Sequence, residues 1–89
     1  MMTRIEELTI VRAYYHDGTI EYYMSETKEM CEKDARKHGR KKRRILVKTE
    51  KIKYHELVAS NPRDITYYGV NMDISLITRS SEHISVLAA

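Results

Sequence analysis

Leu8-Thr9-Ile10-Val11-Arg12-Ala13-Tyr14-Tyr15-His16-Asp17-Gly18-Thr19-Ile20-Glu21-Tyr22-Tyr23-Met24 consists of two runs rich in Ile, Val, Thr and Tyr around a central Asp-Gly. β-Branched and aromatic side chains fit a pleated, half-buried surface, and Asp-Gly accepts the positive φ angles of a tight two-residue turn. The stretch predicts a β-hairpin. With Asp17 and Gly18 as a type I′ loop, Tyr15 faces Ile20, Ala13 faces Tyr22 and Val11 faces Met24, which makes one coherent apolar face. Arg12, Tyr14, Glu21 and Tyr23 then share the opposite face. Leu8 and Ile10 fall there too, so either a bulge shifts the register or the far end of the hairpin is covered on both sides.

Downstream, Ser25 is placed to cap a helix of roughly three to four turns. Glu26, Glu29 and Glu32 lie toward its N-terminal half and Arg36, Lys37 and His38 toward its end, which matches the helix macrodipole. Gly39 follows as a residue able to take the left-handed conformation of a C-terminal cap. The apolar face is thin, limited to Met30, Cys31 and Ala35, so the helix is expected to lie across a sheet. Arg44 to Glu50 and Ile52 to Ala59 read as strands, Ser60-Asn61-Pro62-Arg63-Asp64 as a loop, and Ile65 to Val70 and Met72 to Thr78 as further strands. His83 to Leu87 alternates like an edge strand. The expected fold is α+β, a mainly antiparallel sheet with one helix in the order β-β-α-β-β-β(-β), forming a single small domain over residues 1–89.

Charge is segregated along the chain. Ten of the sixteen Lys and Arg residues lie between Arg36 and Lys53, where the only acid is Glu50; the rest of the chain is net acidic. Charge this dense repels itself unless it is solvated or neutralised, and a polyanion neutralises it best. The candidate binding residues are Arg36, Lys37, Arg40, Lys41, Lys42, Arg43, Arg44, Lys48, Lys51 and Lys53. Six of the seven tyrosines form the doublets Tyr14-Tyr15, Tyr22-Tyr23 and Tyr67-Tyr68. Neighbours in a strand point to opposite faces, so each doublet sends one ring outward. Tyr14 and Tyr23 are the outward pair, able to stack bases or form a protein contact. Tyr15 and Tyr22 are the inward pair.

Gly39-Arg40-Lys41-Lys42-Arg43-Arg44 resembles the start of the arginine-rich motif of the lentiviral Tat transactivators, which implies RNA binding. The likeness covers these six residues, and Ile45, Leu46 and Val47 depart from it. Val86-Leu87-Ala88-Ala89 resembles the Leu-Ala-Ala ending of the bacterial SsrA degradation tag, which implies fast turnover if the tail is free and none if His83 to Leu87 is paired in a sheet.

Chemistry is sparsely represented. His16, His38, His55 and His83 are scattered, and the sequence contains no Cys-x-x-Cys, His-Glu-x-x-His, phosphate-binding loop or Gly-rich dinucleotide signature. Cys31, Asp34 and His38 share a helix face but lack a fourth ligand. No catalytic residue, metal or cofactor is expected. A lone cysteine and the lack of a long apolar stretch point to a reducing cytosol and no membrane. The function these features predict is a small, non-catalytic binding protein of the cytoplasm that engages DNA or RNA through Arg36 to Lys53, in the style of a phage or mobile-element regulator. The alternative is an inhibitor or adaptor that docks the same basic surface and the outward tyrosines on an acidic protein. A homodimer would enlarge the modest core that 89 residues allow.

Overall fold

The computed structural model describes residues 7–79. The expected strand at His83 to Leu87 and the Leu-Ala-Ala ending lie outside them. The hairpin forms from β1 (Thr9–Tyr15) and β2 (Ile20–Ser25), but in a register one residue away from the expected one. Val11 faces Tyr23, Arg12 faces Tyr22 and Tyr14 faces Ile20. The turn explains the shift. Only Gly18, with φ 89°, takes a positive φ there, and Asp17 does not. Gly18 N–H donates to Tyr15 O at 3.0 Å and Tyr15 N–H to Thr19 O at 2.9 Å. This is the three-residue loop in which a type I turn ends in a left-handed glycine bulge. Asp17 contributes a side-chain acceptor instead, with Oδ1 2.9 Å from Thr19 N. The extra loop residue moves Tyr23 to the face of Val11 and Tyr15, and puts Tyr22 with Tyr14 on the other.

Both faces of the hairpin are then covered at its open end. Val11, Ala13, Tyr15 and Tyr23 pack on α1 (Lys28–Lys41) through Cys31 and Ala35. Ile10 and Met24 join Ile52, Leu57, Ile65 and Ile77 on the opposite face, beneath α2 (Tyr54–Ser60) and α3 (Ile74–Arg79). The cap of α1 is Thr27 rather than Ser25: Thr27 Oγ1 accepts from Met30 N at 3.1 Å. Ser25 ends β2 and is buried, donating to Thr27 O at 2.7 Å.

The sheet is mixed and carries three helices rather than one. Its order is β3-β1-β2-β4-β5, with β3 (Leu46–Ile52), β4 (Asp64–Tyr67) and β5 (Val70–Asp73). Three pairings are antiparallel, and β2 with β4 is parallel. β2 and β3 flank β1 and run the same way, which is the arrangement that needs a helical crossover such as α1. The expected second strand, Ile52 to Ala59, is mostly α2. Tyr54, Leu57 and Val58 follow helical spacing, Leu57 is buried, and Glu56 Oε1 accepts from Lys53 N at 3.0 Å to start the turn. Asn61, at φ 50°, ends it in the left-handed region before Pro62. Two of the remaining expected strands shrink to a hairpin. Tyr68 and Gly69 both have positive φ, 50° and 79°, so the type I′ turn expected at Asp17-Gly18 occurs here instead. Ile74 onward becomes α3, with Ser75 N bound to Asp73 Oδ1 at 2.9 Å and Ile77 buried.

Candidate nucleic-acid interface

Helix α1 sets the geometry of the basic run. Its buried stripe is Cys31, Ala35 and Gly39, and at 100° per residue this turns Arg36, Lys37, Arg40 and Lys41 outward, where all four are exposed. Lys33 occupies the same outer row one turn earlier and is also exposed. It lies before the run that composition marks out, and only the helical period identifies it.

The helix continues past Gly39, which is not its cap. A Cβ on Gly39 would lie 2.8 Å from Arg44 O and 2.8 Å from Tyr15 Cε1, so this glycine allows the last turn to press against the hairpin. The chain leaves the helix through Lys42 and through Arg43, at φ 58°. Arg44 N–H donates to Gly39 O at 2.7 Å and Arg43 N–H to Arg40 O at 3.2 Å. These two bonds form a Schellman motif, with arginine where glycine is usual. Lys42 and Arg43 are exposed beside Arg40 and Lys41.

The other basic residues do not join them. Arg44 turns back onto the hairpin, with Nε 3.2 Å from Asp17 Oδ2 and NH1 3.1 Å from Glu21 Oε1. The Asp17 carboxyl is held below its usual range, first by its bonds from Thr19 and then by Arg44. Lys48 is on the sheet face opposite α1, its ammonium 4.7 Å from the ring centroid of Tyr14. Lys51 is exposed on β3, and Lys53 is the N-cap of α2. A five-residue replacement of Arg40 to Arg44 therefore mixes four solvated cations with one structural arginine.

The outward tyrosines divide in the same way. Tyr23 is completely buried and offers no contact surface, a correction that follows from the glycine-bulge turn. Tyr14 is half-buried, its hydroxyl donating to Glu50 Oε1 at 3.0 Å. Arg12 NH1 reaches the same oxygen at 2.8 Å, and Arg12 NH2 donates to Ser60 Oγ at 2.9 Å. The Glu50 carboxyl is held below the ordinary range by the Tyr14 hydroxyl and then by Arg12. Arg12 Nε also donates to the Tyr22 hydroxyl at 3.3 Å, so Arg12, Tyr14, Tyr22 and Glu50 form one linked group, with the exposed Lys48 ammonium beside it over the Tyr14 ring.

A directed hydrogen-bond chain runs under α1. Tyr15 Oη donates to Ala35 O at 2.7 Å, which commits its single proton, so Tyr23 Oη donates to Tyr15 Oη at 2.6 Å. Tyr23 Oη must then accept from His38 Nδ1 at 3.1 Å. This fixes the His38 tautomer with the proton on Nδ1; His38 also lines a notch of about 120 Å³ together with Asp34, Lys37, Lys41, Thr66 and Gly69. Burial pushes the Tyr23 hydroxyl far above the ordinary tyrosine range, and the Tyr15 hydroxyl upward as well. Cys31 is buried and its thiol is pushed up by burial.

Among the described residues, no group of three or more His, Cys, Asp or Glu side chains converges as a metal site. No described helix is long and apolar enough to cross a membrane. No protein-family model, curated protein or solved structure matches the chain.

Proposed function

We propose that this protein is a non-catalytic binding protein that engages nucleic acid through the outer face and C-terminal turn of α1. The observation that carries the proposal is the grouping of Arg36, Lys37, Arg40, Lys41, Lys42 and Arg43 on one exposed helical end. None of the six forms a salt bridge with a described carboxylate, while Arg12 and Arg44 do. Cations at a helix C-terminus are favoured by the macrodipole, but that effect fades beyond the last turn, and Lys33, Arg36 and Lys37 lie before it. A row of solvated cations spaced along one helix suits contact with successive phosphates, which gives affinity without reading base edges. Lys33 extends that row.

Fluorescence anisotropy with duplex and single-stranded oligonucleotides across a salt series tests the proposal. Log affinity is expected to fall linearly with log salt, by about 0.9 per neutralised phosphate on duplex DNA. Replacing the six residues with Gln is expected to abolish binding while leaving the circular dichroism spectrum unchanged. Binding that ignores salt, or that survives the six-Gln change, sinks the proposal. Retention of an acidic protein after nuclease treatment, with no oligonucleotide affinity, points to the acidic-partner alternative.

A further inference from the structure

Strand β3 is an edge of the sheet, with β1 on one side and no described strand on the other. The direction of its backbone groups follows from the hairpin. Tyr15 N–H donates to Thr19 O across the turn, while His16 N–H donates to Ile45 O. In an antiparallel strand, successive residues aim their N–H and C=O groups at opposite neighbours. Tyr14, Arg12 and Ile10 therefore bond to β3, through their partners Lys48, Glu50 and Ile52. Thr49 and Lys51 aim their backbone groups away from the sheet.

We propose that this edge pairs antiparallel with the same edge of a second copy of the chain, with Thr49 opposite Thr49 of the partner subunit. Charge and strand regularity together select this register: Val47 is the bulged residue between the partners of Tyr14 and Tyr15, where a regular ladder centred on it is interrupted. A two-fold axis at Lys48, Glu50 or Lys51 sets that residue against itself, and like charges directly opposite one another are destabilising. Centring at Thr49 instead sets Lys48 against Glu50 of the partner subunit, twice. Glu50 binds Arg12 and Tyr14 through Oε1, so in this pairing Oε2 is the oxygen assigned to the incoming ammonium. The same register lays the stem of Lys51 along Val47 of the partner subunit, and Val47 is 59% exposed in the single chain. The other edge is a poorer candidate: β5 has four residues and runs straight into α3. A two-fold axis perpendicular to the sheet keeps each face as it is, so the pairing places both copies of α1 on one side of the joined sheet.

Cysteine cross-linking on protein stripped of nucleic acid tests the pairing independently of the proposed function. In this register the two Thr49 Cα atoms are about 5.5 Å apart, within disulfide reach, and the two Lys51 Cα atoms about 14 Å apart. Thr49→Cys is expected to oxidise to a covalent dimer and Lys51→Cys to remain monomeric; Cys31 is buried and stays out of the exchange. In sedimentation the wild type is expected to dimerise reversibly as concentration rises. Lys51→Pro, which removes only an outward N–H, is expected to be a folded monomer. A wild type that stays monomeric throughout overturns the proposal. So does cross-linking of Lys51→Cys in preference to Thr49→Cys, or dimerisation that persists in Lys51→Pro. Should Lys51→Pro misfold, the outward assignment is wrong and the pairing falls with it.

Discussion

The hydroxyl oxygens of Tyr15 and Tyr23 lie 2.6 Å apart beneath α1, and the bond between them has a direction. Tyr15 donates its hydrogen bond to the Ala35 carbonyl, so Tyr23 is the donor in the pair and the acceptor from His38. The two rings start from strand positions four residues out of register, since Tyr23 pairs with Val11, and their lengths close the gap along the sheet. One buried polar chain thus ties both strands of the hairpin to the carbonyl and the imidazole of one helix.

Breaking that chain at its middle is expected to be costly. Tyr23→Phe leaves His38 Nδ1–H and the Tyr15 hydroxyl each short of a partner, a loss of about 1–3 kcal/mol. Tyr23→Ala adds a cavity and is expected to cost about 3–5 kcal/mol. Tyr14→Ala and Tyr22→Ala, on the half-open face, are expected to cost less than Tyr23→Ala. Urea melts of the four variants check the order, and a larger loss at Tyr22 than at Tyr23 contradicts the register.

The same burial makes stability sensitive to alkali. Tyr15 and Tyr23 have raised pKa values in the folded chain, so the unfolded chain releases their protons first as pH climbs. Their contribution is fully present below the ordinary tyrosine value of about 10 and is lost as pH rises above it. The slope is expected to reach about 1.4 kcal/mol per pH unit for each tyrosine that stays protonated in the folded state. Tyr23→Phe is expected to flatten it. Melts between neutral pH and strong alkali measure both slopes, and a wild-type slope equal to that of Tyr23→Phe rules the tyrosine out as its source.

How much of this is legible in the chain depends on what a short window can encode. The hairpin, the helix after it and the α+β class are visible, because apolar alternation and end signals are local. The register is not: Asp-Gly suits a two-residue turn as well as a three-residue loop ending in a bulge, and the choice moves Tyr22 and Tyr23 to opposite faces. Gly39 reads as a helix end because glycine has two uses, and close packing against Tyr15 is the long-range one. Tyr54 to Ser60 is too short for its period to separate helix from strand. The parallel pairing of β2 with β4 joins segments far apart in sequence, which no local pattern reports. For the candidate site, charge clustering marks ten residues, and folding separates them into an exposed helical group and positions such as Arg44 and Lys48 that serve the scaffold.

Arg43 and Gly39 are expected to respond oppositely to substitution. Arg43 sits in the left-handed region without the freedom of glycine, so Arg43→Gly is expected to stabilise the chain by about 0.5–1 kcal/mol. Gly39→Ala gains helix propensity of about 1 kcal/mol, but its Cβ meets the Arg44 carbonyl oxygen and the Tyr15 ring at 2.8 Å, and overpacking of that kind costs about 1–3 kcal/mol. The backbone oxygen cannot swing aside as a side chain does, so the net effect is expected to be destabilising. Thermal melts of the two single variants decide it, and a Gly39→Ala protein more stable than the wild type shows that the last turn is less tightly docked than 2.8 Å implies.

The basic residues are expected to separate by readout. Arg44→Gln removes its ion pairs with Asp17 and Glu21, partly exposed pairs worth about 0.2–1 kcal/mol each, and is expected to lower stability while leaving the salt slope of oligonucleotide binding nearly unchanged. Lys48→Gln, on the sheet face opposite α1, is expected to leave both affinity and slope close to the wild type. Arg36→Gln and Arg40→Gln carry the reverse signature: unaltered melting, weaker binding, and a slope reduced by about 0.9 for each phosphate that the variant no longer neutralises. Anisotropy titrations at several salt concentrations, paired with melts on the same samples, test the separation. If Lys48→Gln reduces the slope as much as Arg40→Gln does, the binding surface wraps the edge at β3 and is not confined to the outer face of α1.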